Sequence, residues 1–283
     1  VNTESVIVDS APSFYAIATS APFSEVISDT EDLRYRVSIA RAIRSVGAAM
    51  NIADAQDFAD AVEGIGRAFD ELLRMLWENP SIVDEHLYLT PWQQAMWTAS
   101  GGAWHGIARA DAFVLEDGSI RICELNADTP SGEPEAVVFN SVRARHHPDY
   151  DDPNRGFRDA FIAMLRRSWE ATFRERLERQ PDRLPRVGIV YPTDIPEDLS
   201  MIELYKRWCT EEGWPVSLGS PYNLDRDEQG HLLLLGRPVD LVVRHYKTDW
   251  WGEREPILLN GEAYLDPDPL EEPLRAILGA EVD

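Results

Sequence analysis

Lysine is almost missing from this chain of 283 residues: Lys206 and Lys247 stand against twenty-five arginines. Cysteine is equally scarce, with only Cys123 and Cys209. Two thiols are too few for a disulfide framework or a thiolate metal centre, so a reducing cytoplasm is the expected compartment. No run approaches the length of an apolar spanning helix, and no basic segment precedes an unbroken apolar one near Val1. Neither a membrane span nor a secretory signal is therefore expected. Positive charge is short overall, 27 Lys and Arg against 50 Asp and Glu, for a net charge of −23. Such a field argues against nucleic-acid phosphates and anionic membranes as partners. It attracts small cations, or simply solubilises the surface. The chain also has no GxGxxG after its first buried-looking strand, so dinucleotide binding is not supported, and no internal repeat is evident.

What is present is ample apolar material, 44% hydrophobic residues with nine tryptophans, in a length that holds one large or two modest domains. The expected fold class is mixed α/β (α+β), divided into residues 1–180 and 185–283. After an extended N-terminal segment, Leu33, Val37, Ala40, Ile43 and Val46 predict a helix from about Asp32 to Met50. Phe58, Val62, Ile65, Phe69, Leu72, Leu73 and Leu76 predict a second, from about Asp57 to Asn79-Pro80. Trp92, Trp97 and Trp104 either line a pocket or pack at a core rim. His146-His147-Pro148 reads as an exposed loop, because adjacent residues do not share a helix face and the proline ends the element.

A further helix is expected over Pro153 to Gln180, and Gln180 to Pro185 reads as a linker. Strand Val187–Tyr191, helix Glu197–Glu212, strand Val216–Leu218, a hairpin strand Leu232–Leu235 and strand Asp240–Tyr246 follow. They describe a βαβ unit in an α/β layer. Asp266 to Pro273 reads as an acidic, proline-rich loop before a last short helix.

The chemistry concentrates in RADAFVLEDGSIRICELNADTPSGEPE, residues 109–135. Two apolar-rich runs flank Asp117-Gly118, a dipeptide favoured in two-residue type I′ turns, which predicts a hairpin with Glu116 paired to Ser119. That register sets Asp111 across from Glu124 and Arg109 across from Asn126, on the face that also carries Ile107, Phe113, Leu115, Ile120 and Ile122. Cys123 falls on the opposite face, as a core residue. Two carboxylates with Cβ atoms about 4.5–5.5 Å apart repel, so something must neutralise them. A hard divalent cation such as Mg²⁺ suits two carboxylates and an amide oxygen, with Arg109 facing phosphate beside it. A salt bridge among Arg109, Asp111 and Glu124 on a solvated face is the other reading.

The ELNADTPSGEPEA segment resembles the glutathionylspermidine synthase family and the related circularly permuted ATP-grasp carboxylate–amine ligases. Arg109, Asp111, Glu124 and Asn126 match that family's Arg-x-Asp, hairpin, Glu-x-Asn arrangement. The resemblance implies that the arginine contacts the transferring phosphate and that the other three hold Mg²⁺. It also implies that Thr129 and Ser131 contact the peptide substrate, a role physically suited to hydroxyls at a helix start, where Ser131 also serves as a cap. A weaker likeness covers Arg244-His245-Tyr246-Lys247-Thr248-Asp249-Trp250-Trp251, where Arg244 and Lys247 become substrate-carboxylate or phosphate contacts, or surface charges beside a packed tryptophan.

The implied architecture is an ATP-grasp-type hairpin sheet behind a helical N-terminal region, followed by a Rossmann-like pre-ATP-grasp βαβ domain. The implied activity is an ATP- and Mg²⁺-dependent ligase that joins a peptide-like carboxylate to an amine, a polyamine in keeping with the acidity, through an acyl phosphate. The departure lies downstream. The family's nucleotide-holding lysines follow the βαβ region, and no lysine follows Lys247 here. Arginine replaces a compact point charge poorly. The ATP-binding part is thus expected to be missing, as in a truncated portion that holds metal and peptide without turnover. A metal-dependent hydrolase using Asp111 and Glu124 to activate water is the third reading.

Overall fold

The computed structural model describes residues 14–18, 46–50, 52–103, 106–134, 136–137, 140, 152, 154–193, 199–253, 257–265 and 271–280. The chain is a mixture of α-helices and small β-sheets, as expected from its mixed periodicities. It divides into two compact units, one of residues 1–72, 107–158 and 197–203, the other of residues 73–106, 159–196 and 204–283.

In the first unit β1 (Phe14–Ala18) pairs antiparallel with β2 (Val46–Met50), Phe14 opposite Met50 and Ala18 opposite Val46. The helix expected over Asp32 to Met50 therefore does not extend through Val46–Met50. Gly47 and β-branched Val46 are weak helix formers, and strand pairing wins there. Residues 32–45 lie outside the described residues, as do Trp104, His146-His147-Pro148 and residues 266–270 of the acidic loop. Helix α1 (Ile52–Glu78), whose residues from Leu73 on belong to the second unit, starts earlier than the sequence pattern suggested and stops just before Asn79-Pro80. Strands β3 (Arg109–Val114) and β4 (Ile120–Asn126) form the hairpin. A helical turn follows, begun by the Ala136 N–H donating to the Gly132 carbonyl at 2.9 Å.

The second unit contains α2 (Pro80–His86) and α3 (Pro91–Ser100). The latter opens on a reciprocal cap between Thr90 and Gln93, with Pro91 in the first turn, where its missing N–H costs nothing. It closes on Gly101 in the left-handed region. The next residue, Gly102, has φ +72, and a Cβ placed on it would sit 2.6 Å from Cγ of Trp77. Gly102→Ala should therefore cost about 1–3 kcal/mol through backbone strain and the displaced indole. Urea denaturation checks this, and an unmoved midpoint would show that Trp77 yields freely.

The helix expected over Pro153 to Gln180 is two helices, α4 (Phe157–Thr172) and α5 (Arg174–Arg179). Phe173 between them leaves helical geometry (φ −105, ψ 27) and is buried, with the Arg183 guanidinium 5.4 Å from its ring centre. Seating that ring interrupts the regular run.

The strand, helix and strand pattern emerges as β5 (Val187–Val190), α6 (Leu199–Glu211) and β6 (Val216–Gly219), the two strands paired in parallel. All four residues of β5 are buried, as a central strand covered on both faces requires. An antiparallel trio, β7 (Leu224–Arg226), β8 (Leu232–Leu234) and β9 (Arg237–Pro238), precedes β10 (Leu241–Arg244). Strand β10 joins the other parallel edge of β5, giving the order β10-β5-β6. Helix α7 (Trp250–Glu253), strands β11 (Ile257–Leu259) and β12 (Glu262–Leu265), and helix α8 (Glu271–Leu278) complete it.

Its core joins Val190, Leu224, Leu234, Tyr246, Trp251 and Leu274. Beside them an aromatic cluster stacks Phe161 on Tyr205 at 4.7 Å, with Trp208 against both rings and buried His245 against Tyr205. The expected linker is tightly held. Arg183 and Arg186 both pair with Asp240, whose side chain is 2% exposed, so residues 183–186 are tied to the start of β10.

Candidate functional site

The hairpin brings Asp111 opposite Glu124 and Arg109 opposite Asn126, as its turn chemistry suggested, but by a different route. The loop holds three residues, not two. The Leu115 N–H donates to the Ser119 carbonyl and the Gly118 N–H to the Leu115 carbonyl, both at 2.9 Å, so Leu115 rather than Glu116 faces Ser119. Gly118 supplies the left-handed residue (φ +81) that follows a type I turn in such loops. Asp117 accepts from the Ser119 N–H at 2.9 Å. The side-chain and backbone hydrogen bonds of Ser119 hold the Asp117 carboxyl below its usual range.

The extra loop residue shifts the pairing by one, so Val114 faces Ile120 and Ala112 faces Ile122. A bulge then restores the expected register between Asp111 and Ala112, leaving Cys123 as the additional residue. Two consequences correct the sequence reading. Cys123 is exposed, not a core residue. Ile120 and Ile122 share a face with Ala112 and Val114, so the acidic pair does not sit on the heavier apolar face. Arg109, Asp111, Phe113, Arg121, Glu124 and Asn126 instead form a largely polar face, with Phe113 exposed upon it. No hydrophobic pattern announces such a bulge, so turn chemistry alone places the apolar residues on the wrong face.

On that face Arg109 Nε donates to Asp111 Oδ1 at 2.8 Å, and its Nη1 donates to the Ser131 carbonyl at 2.9 Å. Asn126 Nδ2 donates to Glu124 Oε1 at 2.9 Å. The hydrogen bond from Arg109 holds the Asp111 carboxyl below the usual range, outweighing desolvation with the help of the arginine's charge. The same hydrogen bond raises Arg109, helped by the charges of Asp111, Glu124 and Glu133. Glu133 is buried, and its contribution to this electrostatic group was not anticipated from the sequence. Its position three residues past Pro130, at the helix start, was the available signal.

Thr129 sits at φ +48 immediately before buried Pro130. A β-branched residue in the left-handed region, followed by proline, is strained on two counts, and strain of this kind costs about 1–3 kcal/mol. The strained turn delivers Ser131 to Arg109. Ser131 engages through its carbonyl, which leaves its hydroxyl without a hydrogen bond among the described residues.

The donor set fits a hard cation that keeps most of its water. It offers two carboxylates and an amide, oxygen donors at a solvent-facing surface, of the kind Mg²⁺ takes. Among the described residues no three His, Cys, Asp or Glu side chains gather to hold a metal on their own.

Arg244 and Lys247 belong to the other compact unit. Arg244 donates to the Tyr246 carbonyl, and the Lys247 ammonium lies 5.1 Å from the centre of the Trp250 ring, a cation–π arrangement.

A family model described as "Putative transmembrane protein (Alph_Pro_TM)" matches residues 1–72, which stops short of the hairpin. No curated protein matches the chain. Among the described residues no helix is long and apolar enough to cross a membrane.

Proposed function

We propose that the chain is an ATP- and Mg²⁺-dependent carboxylate–amine ligase of the glutathionylspermidine synthase kind, with an ATP-grasp-type hairpin and a Rossmann-like βαβ region. The observation that carries this reading is the cross-strand set of Asp111 with Glu124 and Arg109 with Asn126, joined by Ser131 from a strained turn. The two facing carboxylates repel, and in this hairpin each accepts a hydrogen bond from a neighbour, Asp111 from Arg109 and Glu124 from Asn126.

In this reading Asp111, Glu124 and Asn126 would hold Mg²⁺, which neutralises charge on the substrate phosphates when bound. Arg109, permanently charged and aimed by Asp111 and the Ser131 carbonyl, steadies the transferring phosphoryl group. The substrate carboxylate attacks the γ-phosphate of ATP and ADP departs. The amine then displaces phosphate from the acyl phosphate to give the amide. No protein nucleophile is needed. The Thr129 and Ser131 hydroxyls receive the peptide, and Arg244 and Lys247 are candidate anion contacts of the second unit. A polyamine-like acceptor suits the net charge of −23.

A second reading is favoured by the ion pair itself: Arg109 is already satisfied by Asp111 and Ser131, as in a module that holds metal and peptide without turning over ATP. The test is ADP release by the chain supplied with Mg-ATP, glutathione and spermidine. Release that requires all three supports the ligase. Absence of saturable Mg-ATP binding at micromolar concentrations, about −8 kcal/mol, supports the binding module. Peptide cleavage without nucleotide would instead indicate a hydrolase.

A further inference from the structure

The polar face of the hairpin carries one large side chain that the proposed ligase chemistry does not use. Phe113 is 61% exposed and stands on the same face of β3 as Arg109 and Asp111, directly across from Arg121. Packing within the hairpin does not call for it there. The apolar side of the strand pair is the other face, where Ala110, Ala112, Val114, Ile120 and Ile122 are half-buried. Among the described residues neither a ring nor a guanidinium stacks on Phe113.

The order of groups along the strand matches the order of parts in a nucleoside triphosphate. Alternate residues of a strand are about 7 Å apart, so Arg109, the Asp111–Glu124 pair and Phe113 follow one another over about 14 Å of one face. In the ligase reading Arg109 meets the transferring phosphoryl group and the carboxylate pair meets the metal on the phosphates. The rest of an extended nucleotide then runs toward Phe113. A base presents a flat π-face there, and an aromatic side chain recognises that face by stacking. The ring selects this occupant, not a spare charge, because Arg121 already shares its field with Asp117 of the turn.

We infer that Phe113 is the platform on which the base of the nucleotide stacks, a specificity-determining residue of this face. The inference rests on the ligase reading, in which the same face handles the phosphates of Mg-ATP.

Isothermal titration of the whole chain with Mg-ATP and with Mg-tripolyphosphate tests it, since the second ligand carries three linked phosphates and no base. Mg-ATP should bind about tenfold tighter or more. Phe113→Ala should bring its affinity down to that of Mg-tripolyphosphate. Phe113→Leu, which keeps apolar bulk without a π-face, should do the same and remains informative should the Ala variant fail to fold. Phe113→Trp should keep the preference for Mg-ATP. Circular dichroism verifies folding of each variant. Equal affinity for the two ligands, or a preference for Mg-ATP that survives in the folded Ala or Leu variant, overturns the inference and leaves the phosphate-handling reading in place. Failure of both ligands to bind in a Mg²⁺-dependent manner overturns that reading as well.

Discussion

Asp240→Ala should lower stability by about 3–5 kcal/mol, the largest single-site effect expected in this fold. Asp240 is nearly inaccessible and accepts from the Arg186 backbone N–H at 2.9 Å, from Arg186 Nε at 3.0 Å and Nη2 at 2.7 Å, and from Arg183 Nη2 at 2.6 Å. Removing it strands the Arg183 guanidinium, whose side chain is 13% exposed and whose Nη1 already lacks a hydrogen-bond acceptor. It also unties residues 183–186 from β10, beside the fully buried strand β5. A fall in Tm on the order of 10 °C follows for a chain of this size.

The pH dependence has a definite sign. Burial would raise the Asp240 carboxyl, but hydrogen bonds from Arg186 and the charges of Arg186 and Arg183 outweigh it, so the folded-state value is depressed. Its contribution is therefore complete above the unfolded value, about 3.9, and is lost as pH falls through the lower folded value. Below about pH 4 the wild type should lose stability more steeply than the Ala variant. Calorimetric scans between pH 3 and pH 7 check both statements. Parallel pH profiles, or a Tm unchanged by the substitution, would show that the arginines find other partners.

Under the proposed ligase function, Arg109→Ala should reduce Mg-ATP-dependent turnover by roughly a thousandfold while leaving Tm essentially where it was. The two readouts separate the roles open to this residue. Its ion pair with Asp111 is solvent-exposed on both sides, 43% and 42%, and pairs of that kind contribute little to folding. A merely structural salt bridge thus predicts almost no change in either measurement. A phosphate-steadying role predicts a large loss of rate alone. Arg109→Lys should recover only part of the loss, since a point charge cannot reproduce a planar fork held by both Asp111 and the Ser131 carbonyl. Full activity in the Ala variant would remove Arg109 from the mechanism.

The hairpin shows how far sequence reasoning reached. The Asp117-Gly118 signal located the turn, and the pairs Asp111–Glu124 and Arg109–Asn126 were correct. Their correctness rests on two deviations that cancel, a longer loop and a bulge at Cys123. Either one alone would have turned every partner to the other face. The bulge is decided by how the strands pack and twist, and no residue type in Ile122-Cys123-Glu124 signals it. The strain at Thr129 was equally hidden, because Thr-Pro ordinarily reads as extended chain. At the other end of the chain, the linker expected over Gln180 to Pro185 leads into Arg186, held by an aspartate 54 residues later. Local composition cannot register such a partner.

Local chemistry therefore determined what depends on neighbours in sequence: the mixed α+β class, the periodic helix α1, the buried strand β5 followed by α6 and β6, the hairpin, and the group of oxygen and guanidinium side chains it carries. Tertiary structure decided what depends on distant residues. It made β1 and β2 a strand pair, sorted the hairpin into a polar and an apolar face, buried Asp240 between two arginines, and brought Trp92, Arg226 and Leu274 to one groove. Periodicity and turn propensity act over a few residues of chain. Burial, bulges and ion pairs are set by which remote segments meet, and they surface only when the chain has closed on itself.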